Sequence, residues 1–229
     1  MTNAAPDPRD AQMAALAADI LLDIEAVLIR PDQPFTFTSG RVSPVYVDCR
    51  KIIGFPRARN ALMGMAVELL NRRAGVEAFD AIAGGETAGI PFAAWIAERL
   101  ALPMLYVRKQ PKGFGRNAQI EGDLKEGQRV LLVEDLATDG GSKLNFVRAL
   151  KTAGAKVAHT FVVFHYGIFP QSVESLKAEG VALHGLATWW TMLEAAERRG
   201  YGAGALAEVR SFLDDPNAWS KARGGKADG

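Results

Sequence analysis

The chain has one cysteine, Cys49, and three histidines in 229 residues. A lone cysteine cannot close an internal disulfide and suits a reducing compartment, so a cytoplasmic location is expected. His159, His165 and His184 lack metal-ligand spacing and have no cysteine partner, so each reads as a strand or core residue rather than a ligand. No apolar run approaches the ~20 residues of a membrane span. The segment from Met1 to Asp10 is polar, proline-bearing and acidic, unlike a signal peptide. Charge of either sign is also not in excess: 27 basic residues face 26 acidic ones, for a net charge of +1. That balance argues against a protein that coats nucleic acid. Neither nucleic acid nor membrane is expected as a partner. No internal repeat is visible, and the length suits one α/β domain with some decoration, large enough to fold without a disulfide or metal staple.

What is present is alternation. Met13, Leu16, Ala17, Ile20, Leu21, Ile24 and Leu28 recur at helical spacing and predict a helix over about residues 10–29, ended by Pro31 and Pro34. Two strand-like runs around Ser39-Gly40 then predict a hairpin over 35–48. From residue 56 the pattern predicts helices near 56–73, 88–100, 142–153 and 170–179. Strands are predicted near 79–84, 103–107, 129–133, 156–164 and 181–187, with further helices at the end. Strict strand–helix alternation means a mainly parallel sheet with helices on both faces. Residues 1–50 read as a helix-and-hairpin hood on the same domain, 51–220 as the α/β core, and 221–229 as a frayed tail.

The most informative stretch is Val130-Leu131-Leu132-Val133-Glu134-Asp135-Leu136-Ala137-Thr138-Asp139-Gly140-Gly141-Ser142. Four apolar residues in a row suit a strand buried on both faces. Glu134 and Asp135 then fall at its carboxyl end, where open α/β sheets place their ligands. The small polar loop that follows can turn its N–H groups inward at the start of a helix, which makes a phosphate seat. Acids beside an anion site make sense for a sugar phosphate. The loop takes the phosphate, and the carboxylates accept hydrogen bonds from sugar hydroxyls.

A second stretch, Arg108-Lys109-Gln110-Pro111-Lys112-Gly113-Phe114-Gly115-Arg116-Asn117-Ala118-Gln119-Ile120-Glu121-Gly122, holds four cations in the nine residues from Arg108 to Arg116. Pro111, Gly113 and Gly115 keep it out of regular structure. By itself it reads as a solvated surface loop. Two more segments complete the set: Phe35-Thr36-Phe37-Thr38-Ser39-Gly40-Arg41-Val42-Ser43-Pro44-Val45-Tyr46, and Gly84-Gly85-Glu86-Thr87-Ala88-Gly89-Ile90-Pro91.

In that order the four segments resemble the orotate phosphoribosyltransferases of the type I phosphoribosyltransferase family. The resemblance implies a central, mainly parallel sheet flanked by helices, with an N-terminal hood. It implies transfer of a phosphoribosyl group from 5-phosphoribosyl 1-diphosphate to orotate, giving orotidine 5′-monophosphate and diphosphate in pyrimidine biosynthesis. Mg²⁺ would be carried by the diphosphate, with no direct protein ligand. It also implies a homodimer in which the basic loop closes over a neighbouring site. Arg108 would bind diphosphate in its own subunit, and Lys109 and Lys112 would act from the partner. Glu134 and Asp135 would hold the ribose hydroxyls, and Leu136 to Ser142 the 5′-phosphate, with Thr138 also touching orotate. Thr87 lies on the pyrophosphate-side loop. Ser39 and Tyr46 lie on the hairpin that contacts the orotate ring. Lys112, Asp135 and Glu134 are the expected catalytic residues.

The chain departs from that pattern in places. Thr38 stands where the family has lysine, Phe114 where it usually has histidine, and Ala88 where some members have lysine. Asp139 sits at a variable point of the phosphate loop and is expected to face solvent. Two other readings stay open: a phosphoribosyltransferase for another base, and a catalytically weak regulator that senses phosphoribosyl diphosphate.

Overall fold

The computed structural model describes residues 7–113, 119–138 and 141–226, with backbone alone for 141 and 142. By internal contacts the chain divides into two units, residues 56–186 and residues 1–55 together with 187–229. Residues 187–220, assigned to the core on sequence, thus group with the front piece.

The unit 56–186 is built on a six-stranded sheet. After α1 (Pro8–Asp23), β1 (Val27–Ile29), β2 (Phe35–Thr36), β3 (Val42–Ser43) and β4 (Val45–Val47) of the other unit, its elements are α2 (Pro56–Arg73), β5 (Ala81–Gly85), α3 (Gly89–Leu100), β6 (Met104–Val107), β7 (Ile120–Glu121), β8 (Arg129–Ala137), α4 (Gly141–Thr152), β9 (Lys156–His165), α5 (Pro170–Ala178) and β10 (Ala182–Thr188). The spatial order is β10-β9-β8-β5-β6-β7. The β5–β6, β5–β8 and β8–β9 pairs are parallel, and β6–β7 is antiparallel. This is the mainly parallel α/β architecture expected.

Val130 to Val133 on β8 are buried, as a run with both faces covered requires. Alternation sends Val130 and Leu132 toward Phe146, Val147 and Leu150 of α4. Each such side chain contributes about 1.5–3 kcal/mol by leaving water. Strand lengths place the site. The ladder between β5 and β8 ends at Gly84↔Val133, while that between β8 and β9 continues to Ala137↔His165. The signature strand therefore does not stop at residue 133 as predicted. It overhangs β5, supported on one side only, and the acids lie on the overhang.

The unit formed by 1–55 and 187–229 contains α1 (Pro8–Asp23), β1 (Val27–Ile29), β2 (Phe35–Thr36), β3 (Val42–Ser43), β4 (Val45–Val47), a 3-10 turn (Cys49–Gly54), and α6 (Trp189–Arg198), α7 (Ala203–Asp214) and α8 (Pro216–Ala222). The predicted helix to residue 29 is corrected here. It ends at Asp23, Glu25 takes a left-handed backbone, and Val27–Ile29 form a strand antiparallel to β4. Ile24 and Leu28 satisfy helical spacing, but the β-branched Val27 and Ile29 find a strand partner in Val45 and Val47, and periodicity cannot register that long-range pairing. Leu16, assigned to the apolar face, is exposed. The hairpin forms as expected, with Phe35↔Ser43 and Thr36↔Val42 paired. Of the tail expected to fray over 221–229, residues 221–226 are held: α8 runs to Ala222, and the Lys226 N–H donates to the Gly40 carbonyl at 2.9 Å; residues 227–229 lie outside the described residues.

All three histidines lie on strands of the sheet, as core or strand residues should. His159 Nδ1 and His184 Nε2 are 2.9 Å apart, and the Phe79 ring meets His159 edge-on. Burial, with His159 and Arg73 adding repulsion, lowers His184 to about 4. The unfolded chain therefore binds this proton more readily, and stability present above pH 6.5 is lost as pH falls toward 4. His184→Gln is expected to lose less stability between pH 7 and pH 5 than the wild type, by at most about 2 kcal/mol in urea unfolding. An unchanged pH dependence would show that the pair does not carry the effect.

Candidate active site

In a parallel sheet the carboxyl ends of β5, β6, β8 and β9 share one edge. Their following segments are Glu86–Ala88, Arg108–Gln119, the loop from Thr138, and the turn from Tyr166. The sequence-derived site residues of this unit fall on the first three.

Glu134 is only 7% exposed. Its carboxyl lies over Gly85, where a Cβ would overlap Glu134 Oε1 and come within 2.7 Å of Phe146. A Cβ at Gly89 would overlap the Val133 carbonyl in the same way, so α3 starts directly against β8. Both glycines are thus required by close approach to one strand. Ala88, at the N-cap of α3, supplies no side-chain hydrogen bond, which leaves that helix start open to an anion.

Among the described residues, Glu134 Oε1 has no hydrogen-bond partner. Burial pushes the carboxyl up to about 7; Asp135 adds to the rise, and Lys143 and Lys109 oppose it. Lys143 is itself buried, in the first turn of α4, and its ammonium donates to the Leu136 carbonyl. Asp135 and Leu136 are half-buried, Ala137 is buried, and Thr138 is half-buried. The Ala137 carbonyl accepts from Tyr166 N–H at 2.8 Å, which pins the strand end where the loop begins. The backbone of Gly141 and Ser142 opens α4. Asp139 and Gly140 lie outside the described residues.

The basic segment leaves β6 and returns through β7, so Ile120–Glu121, expected in an irregular loop, is a short edge strand paired to Tyr106 and Val107. The base of the loop is closed by Arg108 N–H to Gln119 O at 2.8 Å and by Gln119 Nε2 to Arg108 O at 3.1 Å. Arg108 Nη1 reaches Glu121 Oε1 at 3.4 Å, while its Nε is buried without an acceptor among the described residues. Lys109 and Lys112 are exposed; residues 114–118, with Phe114, lie outside the description. The Lys109 N–H donates to Glu86 Oε2 at 2.7 Å, and Glu86 N–H to the Val107 carbonyl at 2.8 Å. Thr87 is exposed, next to a cis Glu86–Thr87 peptide.

Ser39 and Tyr46 belong to the other unit. There the Tyr46 ring lies 5.5 Å from Phe35 and 6.2 Å from Phe37, with Arg30 placed 5.5 Å over Phe35. Ser39 Oγ accepts from Arg41 N–H at 3.4 Å in the hairpin turn.

A family model described as the phosphoribosyl transferase domain matches residues 56–178. An orotate phosphoribosyltransferase of Cereibacter sphaeroides is 61% identical over 217 residues, covering 94% of this chain and 93% of that one. The chain belongs to the orotate phosphoribosyltransferase family. Among solved structures, orotate phosphoribosyltransferase from Aeropyrum pernix is similar with a TM-score of 0.68 at 33% identity, covering 81% of this chain and 99% of that chain. The Mycobacterium tuberculosis enzyme in complex with 5-phospho-alpha-D-ribosyl 1-diphosphate is similar with a TM-score of 0.59 at 25% identity, covering 79% and 98%. The resemblance of the four motifs is thereby shown over nearly the whole chain.

Two features of the site escaped the family pattern. Lys143 shares its helix face with Phe146, Val147 and Leu150, at i, i+3, i+4 and i+7. A lysine on an apolar helical face, one turn after an anion loop, was a legible signal. Gly85 was readable only as turn punctuation, because the side chain it makes room for is about fifty residues away in sequence. The raised Glu134 carboxyl gives a signed prediction. Its contribution to stability is fully present below the unfolded value near 4.5 and is lost as pH rises through about 7. The wild type is expected to lose up to about 3 kcal/mol between pH 5 and pH 9 from this group, and Glu134→Gln is expected to lack that loss. Parallel denaturation curves for the two proteins across that range would contradict it.

Proposed function

We propose that the chain transfers the phosphoribosyl group of 5-phosphoribosyl 1-diphosphate to orotate, releasing diphosphate and orotidine 5′-monophosphate, a step of pyrimidine biosynthesis. The observation that carries this reading is the overhanging end of β8, where paired acids lead through Thr138 straight into the N-terminus of α4. A phosphate on the loop and sugar hydroxyls on the carboxylates use both features at once. The strong identity to named orotate phosphoribosyltransferases supports the choice of base.

The ring nitrogen of orotate brings its own electron pair to the anomeric carbon as diphosphate departs. The chain therefore supplies positioning, charge and exclusion of water, not a nucleophile. Asp135, the more accessible acid, accepts from the ribose hydroxyls. Glu134, poised near neutrality, steadies the positive charge that develops on the sugar. The loop N–H groups up to Ser142 hold the 5′-phosphate. Arg108, with a buried donor still to be used, faces the diphosphate together with the segment at Thr87. Ser39 and Tyr46 take the orotate ring.

Mg²⁺ would arrive on the diphosphate, where it would supply positive charge to the leaving group. Lys109 and Lys112 project from an exposed loop and act on the site of a second copy in a homodimer. No helix among the described residues is long and apolar enough to cross a membrane. The single Cys49 suits a reducing compartment, and on that ground we read the enzyme as cytoplasmic.

Following the loss of orotate absorbance on adding phosphoribosyl diphosphate and Mg²⁺ tests the activity; retained diphosphate binding with no loss would instead identify a sensor. Lys112→Ala is expected to lower turnover at least about tenfold with a nearly unchanged melting temperature, and unaltered turnover would remove Lys112 from the site. Mixing it with Asp135→Ala chains is expected to restore part of the activity. Mixtures no better than either parent would mean that each site is complete within one chain.

A further inference from the structure

The hairpin that carries Ser39 is too short to hold its own shape. Its strands pair over only two positions, Phe35↔Ser43 and Thr36↔Val42, and a lone two-stranded ribbon is marginal in water. Within the same unit, the end of the chain closes over it. The Val42 N–H donates to Ser220 Oγ at 3.0 Å, and that hydroxyl donates onward to the Lys226 carbonyl at 2.7 Å. The Lys226 N–H returns to the Gly40 carbonyl at 2.9 Å. Arg41 Nη2 donates to Asn217 Oδ1 at 3.0 Å.

These contacts grip the end of the turn and the strand that leaves it, at Gly40, Arg41 and Val42. Ser220 is fully buried and Val42 nearly so; the hydroxyl relays between two backbone groups, and the Val42 N–H would be stranded without it. Gly225 permits the closure: a Cβ there would overlap Ser220 Oγ and lie 2.8 Å from Val42 N. The base of the strap is fixed separately. Trp219 packs edge-on against Phe212 at 5.6 Å, lies under Arg223 at 3.7 Å, and donates to Glu208 at 3.1 Å. A firmly anchored strap ending on a weakly self-supported hairpin transmits its rigidity to that hairpin.

We propose that residues 217–226 form a positioning strap that holds the 35–43 hairpin in the shape that receives the pyrimidine, so that the end of the chain sets the affinity for orotate. The proposal rests on the reading that this hairpin contacts orotate. A group that only presents the base adds nothing to the grip on the sugar diphosphate, so the strap acts on one substrate alone.

Two variants test it in the otherwise intact enzyme: Ser220→Ala, which removes the relay, and a chain ending at Arg223, which leaves α8 whole and deletes the return to Gly40. Each is expected to raise KM for orotate about tenfold and to leave KM for phosphoribosyl diphosphate within about twofold. Exchange of the Val42 amide with solvent should quicken in both. A fall in kcat with both KM values unchanged would show that the strap only keeps protein folded, and would overturn the proposal. So would unchanged kinetics in the shortened chain. A wild type without activity on orotate would instead remove the functional reading itself, a separate outcome.

Discussion

The burial of Glu134 beside Gly85, with the Lys143 ammonium on the Leu136 carbonyl of the same strand, is the constraint around which the candidate site is arranged. A carboxyl taken out of water needs either a compensating charge or a proton. Lys143 supplies part of the first, and the upward shift of Glu134 toward neutrality reflects what remains. A lysine in the first turn of a helix opposes the helix dipole. Its placement there, on a face otherwise filled by Phe146, Val147 and Leu150, is intelligible through the carboxyl it meets and the Leu136 carbonyl it holds.

Around that pair the sheet is cut to fit. β5 stops early, β8 runs on, and β9 accompanies it to His165. The overhang gives the acids one open side while backbone hydrogen bonds on the other keep them rigid. Glycine at 85 and 89 lets the neighbouring strand end and helix start come close enough to form the wall. The Lys109 N–H, donating to the Glu86 carboxylate, then ties the basic loop to the segment after β5. Position 38 carries threonine and position 88 alanine, while Lys143 is buried and Arg108 half-buried; a cation in the lower dielectric of the interior counts for more than one at the surface.

Much of this was legible in the residues. The apolar run Val130–Val133 announced a strand covered on both faces, and strand–helix alternation announced a parallel sheet. The composition of 134–142 announced sugar phosphate chemistry. Those features are local: side-chain period, turn chemistry and charge lie within a few residues of one another. The expected helix over 10–29 failed at Glu25 for the complementary reason. Its last residues, Val27–Ile29, are decided by β4, some twenty residues further on, and not by their own spacing.

The sequence by itself determined the class of sheet, the place of the acids at a strand end, and the family, because each is written in contiguous residues. Only the tertiary structure decided that β8 overhangs β5, that Glu134 is buried while Asp135 is half open, that Lys143 is an interior cation, and that the chain's end clasps the hairpin at Gly40. Each of those depends on which distant segments come into contact. Desolvation, close approach and shared hydrogen bonds arise only once those segments meet.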